Sequence, residues 1–418
     1  GSGKTTLPKS TIMIGLLSIF IGATSLNGQS IDDLLKTAAT NNLEIKTFEI
    51  EYRTALERIP QVGVLPDPEI GVGVFPLPVE TRLGGQFARL SAMQMFPWKG
   101  TLDGQKDLEA AKAKALYERM AATSLNLNFQ IKQAWYNLYQ LEQSQTIIQR
   151  NLTLLTTLER LALAKVESGK GTAADVLRVQ LKTEEMQQEL IILETAKITP
   201  TVMINQLLNR PLNTSITVVD SLDFSVIPFN KDTLSQYIEA NHPMLRMYEL
   251  QQDISKKAIA LNGLARKPSF GVGLDYIAVD KRSDANPSHN GRDILQLKAT
   301  IKIPLYKEKY AAKEREERLK MEALDFRKAD NLSMFLAEIE KAYAKYQTAQ
   351  LRVELYEKQR TITQAAIRIL EARYSAQGNG FDELLRLEKE LIDYDLKTLK
   401  AIVQSHLAKS EIERFINF

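Results

Sequence analysis

The side chains best placed for chemistry in this chain lie at two glycine turns far apart in sequence. The segments are VESGKGTAADVLRVQ, from Val166, and YSAQGNGFDELLRLE, from Tyr374. In one register Val166 pairs with Tyr374, Asp175 with Glu383, Leu177 with Leu385 and Arg178 with Arg386. Asp175 and Glu383 fall near helix starts, where a carboxylate gains about 0.3–1 kcal/mol from the positive end of the helix dipole. Gly169, Gly171, Gly378 and Gly380 suit reversed turns rather than a nucleotide site, because no strand precedes either segment.

Other chemistry is largely excluded. The chain has no cysteine, which removes disulfides, thiolate metal sites and cysteine catalysis. His242, His289 and His406 lie far apart and do not fall at ligand spacing, so no metal site is expected. The opening GSGKTT lacks the upstream glycine and strand that a phosphate-binding loop requires. Against 54 lysines and arginines stand 51 acidic residues, mixed along the chain, so no basic stripe marks a nucleic-acid partner. No histidine, serine and carboxylate group converges on an ordered pocket, and neither an enzyme nor a cofactor is expected.

The elements that position the two turns are duplicated. AWYNLY from Ala134 returns as AYAKYQ from Ala342, PEIGVGV from Pro68 as PSFGVGL from Pro268, and QMFPWKG from Gln94 as KIPLYKE from Lys302. The division is a leader over residues 1–28, a first repeat over 29–229 and a second over 230–418. Each repeat reads as a helix (Ile31–Arg58 or Asp232–Ala265), two short strands, a very long helix, a glycine turn and a return helix. From Gln105 to Ser168, and from Leu305 to Gln377, there is neither glycine nor proline. At ~1.5 Å per residue these are rods of about 95–110 Å. Along the first rod Ile131, Ala134, Leu138, Leu141, Ile148, Leu152, Leu155 and Ala162 keep the three–four spacing of a packed seam. Residues 209–229 read as a non-helical link.

Lys4 and Lys9 precede an apolar run from Ile12 to Ile21, followed by Gly22, Ala23 and Ser25. That order describes a secretory signal peptide. The strands, expected near 68–76, 86–96, 268–279 and 292–303, alternate apolar and polar residues. Phe270, Val272, Leu274 and Tyr276 stand on one face, as do Leu295, Leu297, Ala299, Ile301 and Ile303 of the partner. Such alternation suits a strand with lipid on one side and a polar lumen on the other, and equally a water-soluble sheet. Turn-rich loops are expected at Pro76–Gly85 and Asp280–Gly291. In lipid only a closed barrel leaves no backbone group unpaired, and four strands are too few to close one. Several copies would have to pool their strands.

In this order and duplication the chain resembles the TolC-like family of outer-membrane efflux proteins, over essentially its whole length after the leader. QMFPWKG running into a long charged helix is most similar to the heavy-metal-efflux subgroup, the CzcC/CusC-like channels. The resemblance implies a mainly α fold with a small transmembrane β portion. It implies a homotrimer with a twelve-stranded β-barrel in the outer membrane of a Gram-negative bacterium, in contact with its lipid, and an α-helical barrel in the periplasm. The implied function is export of metal ions or small toxic compounds, with a periplasmic adaptor and an inner-membrane RND pump as partners. By position, Tyr374 and Asp175 match a tyrosine–carboxylate latch at the periplasmic tip and Glu383 an acidic ring, while Gly169, Gly171, Gly378 and Gly380 match adaptor-contacting turns. Asn379 stands where a latching arginine belongs, and Arg386 where a second acidic residue belongs. A charged ring in a narrow pore gates and selects ions, and Arg386 breaks the stacked acidic pattern that selects cations. Two other readings stay open: a channel of this fold for type I protein secretion, and a soluble periplasmic coiled-coil scaffold.

Overall fold

In the computed structural model, residues 30–416 are described, except residue 220. The apolar segment of the leader and the GSGKTT opening lie outside the described residues. The first half contains α1 (Ile31–Asn41), α2 (Leu43–Leu56), α3 (Arg58–Val62), β1 (Glu69–Thr81), β2 (Gly84–Phe96), α4 (Thr101–Glu167), α5 (Ala173–Ala196) and α6 (Ile198–Leu207). The second contains α7 (Lys231–Asn241), α8 (Pro243–Ala265), β3 (Ser269–Val279), β4 (Ile294–Lys302), α9 (Lys307–Gln377) and α10 (Phe381–Glu413).

The two rods form as the absence of helix breakers dictates. α4 has 67 residues and α9 has 71. Most of the expected seam on α4 is buried, including Ile131, Ala134, Leu138, Ile148, Leu155 and Ala162. Their counterparts Ile339 and Ala342 on α9 are buried as well. α4 packs against α5 and α10, and α9 packs against α10, so the long helices lie side by side in the order α9, α10, α4, α5. Nearer the sheet, α8 lies against both α4 and α9. Among the described residues no helix is long and apolar enough to cross a membrane.

The opening helix of each half departs from expectation in one respect. It is broken, at Asn42 and again at Glu57 in the first half and at His242 in the second. Asn42 and His242 are extended and cap the helix that follows. Asn42 Oδ1 accepts from the N–H groups of Glu44 and Ile45, at 3.0 and 3.1 Å, and His242 Nδ1 accepts from Met244 N at 3.2 Å. Pro243, at the first turn of α8, cannot continue α7 but is favoured where a helix begins. The return helix of the first half is likewise interrupted, between α5 and α6 at Lys197.

Among its described residues the link has neither helix nor strand, and side chains of the rods pin it. Tyr139 OH accepts from Leu222 N at 2.8 Å, Ser405 Oγ from Ser225 N at 2.9 Å, and Tyr346 OH donates to Ser225 O at 2.8 Å. Tyr343 OH donates to Phe229 O at 2.8 Å. The link thereby ties the middle of α4 and α9 to the C-terminal part of α10.

The strands make one antiparallel sheet in the order β1-β2-β3-β4, with the two halves joined through β2 and β3. β1 is longer than expected. The loop foreseen over Pro76–Gly85 is a tight hairpin, since β1 continues through Pro76 and Pro78 to Thr81. Proline is tolerated there because Pro76 and Pro78 fall in the register shift between Val74 and Val79, where the ladder is interrupted.

Candidate functional site

Two regions carry the features that a function needs: the faces and edges of the sheet, and the turns at the far ends of the rods.

The register assigns each strand residue to a face. Phe270, Val272, Leu274 and Tyr276 pair with Phe96, Gln94, Ala92 and Leu90 of β2 and with Ile301, Ala299, Leu297 and Leu295 of β4. This face is apolar and open: Val72 is 78% exposed, Val272 59% and Leu297 80%. The opposite face mixes glycines and polar or charged residues with Met93, Met95, Ile277 and Val279. On it a Cβ at Gly271 would fall on the Met95 sulfur, and one at Gly273 on the Met93 methyl. Also on it, Asp275 is fully buried between Arg89, which pairs with it, and Lys298, whose Nζ lies 2.7 Å from its Oδ1. The outer strands β1 and β4 each have one unpaired edge.

The helical portion has two lateral edges as well, and both carry exposed apolar residues. On α9 these include Leu355, Ile362 and Ile369, spaced by seven, and on α5 Leu177, Leu181 and Ile191. A seven-residue spacing of apolar groups is the pattern of a helix awaiting a partner helix.

At the far end the two hairpins, α4–α5 and α9–α10, share one apolar cluster. It contains Leu155, Leu158 and Ala162 of α4, Val176 and Val179 of α5, Ile367, Leu370 and Tyr374 of α9, and Phe381 and Leu384 of α10. Gly169 and Gly378 adopt positive φ, 68° and 73°, as the reversals demand. The turns touch: a side chain at Gly378 would collide with the Lys170 carbonyl oxygen. Lys165 Nζ donates to Ser375 O at 2.6 Å, and Arg178 Nε lies 3.6 Å from Asp382 Oδ1.

Each residue singled out by the sequence can now be placed. Asp175 is buried in a capping box with Thr172, accepting from its backbone N–H while the Thr172 hydroxyl accepts from Asp175 N at 3.3 Å. Arg178 Nη1 lies 3.4 Å from Asp175 Oδ1. Tyr374 is fully buried, its ring 4.8 Å from that of Phe381. Its hydroxyl has no hydrogen-bond partner, so it is not bonded to Asp175. Burial, and then the negative charge of Asp175, push the Tyr374 pKa up. Glu383 is exposed in the first turn of α10, and Arg386 is exposed and donates to Glu390 Oε1 at 2.8 Å. Asn379 Oδ1 accepts from Arg373 Nε at 3.2 Å. Gly171 packs against Lys165, and Gly380, with φ 84°, precedes α10.

Sequence reasoning missed Lys165, Ser375 and Asp382, which join the hairpins, and it missed Glu388. That carboxyl is buried on α10, and burial, then the charge of Glu371, push its pKa up to about 7. Phe381, Leu384, Glu388 and Ile392 follow a three–four–four spacing, so a lone acid on an apolar seam was the available signal. Among the described residues no three histidine, aspartate or glutamate side chains cluster to hold a metal ion.

A four-stranded sheet with an exposed apolar face and two unpaired edges, set on a bundle of very long helices, recurs in solved structures. The CmeC outer-membrane channel of Campylobacter jejuni superposes with a TM-score of 0.71 at 12% identity, covering 99% of this chain and 94% of that one. CusC, described for transmembrane channel formation, superposes at 0.72 and 14% identity, covering 93% and 94%. The open state of the MtrE outer-membrane channel of Neisseria gonorrhoeae gives 0.69 and 14%, covering 92% and 88%. The chain has the TolC-like channel fold. No protein-family model and no curated protein sequence matches it.

Proposed function

We propose that this chain is the outer-membrane channel subunit of a tripartite efflux system, working as a homotrimer. The observation that carries the reading is the sheet: an exposed apolar face, and two edge strands with unpaired backbone. A lipid-facing sheet with open edges leaves N–H and C=O groups unsatisfied at several kcal/mol each. Three copies of four strands give twelve, within the range of closed barrels. The apolar stripes on α5 and α9 support the same ring, because the side of one copy then meets the opposite side of the next.

In this reading the strands cross the outer membrane, with the leader directing export, and the rods reach about 100 Å into the periplasm. The glycine turns then form the tip that an adaptor and an inner-membrane RND pump engage. Asp175, Tyr374, Glu383 and Arg386 lie around the closing end of the tunnel. The cargo class follows from the heavy-metal-efflux resemblance: metal ions or small toxic compounds. Transport needs no chemistry at the wall; the protein supplies a path and a gate.

Membrane fractionation of the expressed full-length protein tests this. A detergent-extracted, heat-sensitive trimer from the outer membrane that conducts in planar bilayers is the expected result. Recovery as a monomer in the detergent-free periplasmic extract contradicts it and favours a soluble scaffold.

A further inference from the structure

Resting on the channel reading, we infer that the barrel wall of this protein favours anions, through a cationic ring that Arg89 and Lys298 build around Asp275. Asp275 stands on the inner face of β3, opposite Ser91 of β2 and Gln296 of β4. It is fully buried, paired with Arg89 from one neighbouring strand and with Lys298 from the other, Nζ to Oδ1 being 2.7 Å. One carboxylate offsets one cation, so the triad keeps a net positive charge. Both cationic side chains remain partly exposed, 39% for Arg89 and 27% for Lys298, whereas the carboxylate they enclose has no exposed surface. The face that the triad shows to a passing ion is therefore guanidinium and ammonium.

Nothing else on the central part of that face cancels it. The neighbouring inner positions are Gly73, Ser91, Met93, Gly271, Gly273, Gln296 and Thr300, all neutral. Glu69 and Lys302, at the helix-side ends of β1 and β4, have opposite signs and offset one another. Ring closure repeats the triad at one height in every copy. Fixed like charges lining a water-filled passage concentrate counter-ions near the wall. Their reach is a Debye length, about 10 Å at 0.1 M salt and about 3 Å at 1 M. Anion preference should therefore be clear in dilute salt and fade in concentrated salt.

The test is the reversal potential of the purified full-length oligomer in planar bilayers under a dilute KCl gradient. The wild-type protein is expected to reverse at the sign set by chloride. Lys298→Gln, which removes a triad cation, and Thr300→Glu, which keeps all three triad residues and adds an inner-face carboxylate two residues from Lys298, should each shift it toward potassium, while Lys298→Arg keeps the wild-type value. A triad that served only to hold the strands in register would alter the heat stability of the trimer and leave the reversal potential unmoved. A channel that conducts but prefers potassium, or whose reversal potential is unchanged by Thr300→Glu, overturns the cationic ring alone. A protein that forms no conductance overturns the channel reading, and the ring with it.

Discussion

The ammonium of Lys165 lies 2.6 Å from the carbonyl oxygen of Ser375, joining the last turn of one rod to the last turn of the other. The two residues belong to different repeats, so the bond holds hairpin to hairpin rather than closing a turn. Arg178 and Asp382 make a second, longer contact between the same hairpins, 3.6 Å apart and exposed. A charged donor aimed at a carbonyl is the stronger element; the exposed ion pair contributes between nothing and about 1 kcal/mol.

Lys165→Ala should accordingly loosen the tip, by about 1 kcal/mol given the exposure of the bond. Single-channel conductance should rise or flicker more, and Arg178→Ala should do less. Equal conductance in the wild type and Lys165→Ala would remove this bond from the gate.

Acidity should act on the same region through Glu388. Its pKa is raised to about 7, above the ordinary carboxyl value of 4.5. The folded hairpins therefore hold its proton more tightly than the unfolded chain does. The resulting stabilisation is complete below about pH 4.5 and is lost as pH rises through about 7. Hydrogen-exchange protection of the helix ends around Leu155, Ile367 and Leu384, taken relative to the intrinsic rate at each pH, should be greater at about pH 5.5 than at about pH 8. Glu388→Gln should flatten that difference by slowing exchange at the higher pH; an undiminished pH effect in this variant would place the titrating group elsewhere.

The breaks at Asn42 and His242 make a paired prediction about stability. His242 is buried against Phe335 and Phe415, and burial, then the charge of Arg414, lower its pKa to about 4. It is thus neutral near pH 7, with Nδ1 free to accept from Met244 N. Loss of the Asn42 cap in Asn42→Ala should cost about 1 kcal/mol. His242→Ala should cost more, because a ring packed among aromatics is lost together with the cap. Thermal unfolding of the two variants checks the order, and a larger loss for Asn42→Ala would contradict it.

The rods were legible because sixty or so residues without glycine or proline leave helix as the sole regular choice, as from Gln105 to Ser168. The sheet was legible in Phe270, Val272, Leu274 and Tyr276, whose alternation survives as an exposed face. The helix breaks were missed although Asn42 and Pro243 carry ordinary start signals; the apolar spacing runs on across them and hides the interruption. The hairpin at Arg82–Leu83 was missed because Pro76 and Pro78 read as loop, and only the register shift between Val74 and Val79 makes them tolerable within β1. The contacts of Lys165 with Ser375, and of Asp275 with Arg89 and Lys298, depend on register and tertiary placement. No local pattern marks them.

In the proposed trimer β1 of one copy completes β4 of the next. The absence of native cysteine makes the test clean. Ile70→Cys, combined in turn with single cysteines along β4 from Leu295 to Ile301, should oxidise to an SDS-resistant trimer at one register in isolated outer membranes. Crosslinks confined to monomers, or no trimer at any position along β4, would contradict the closed barrel.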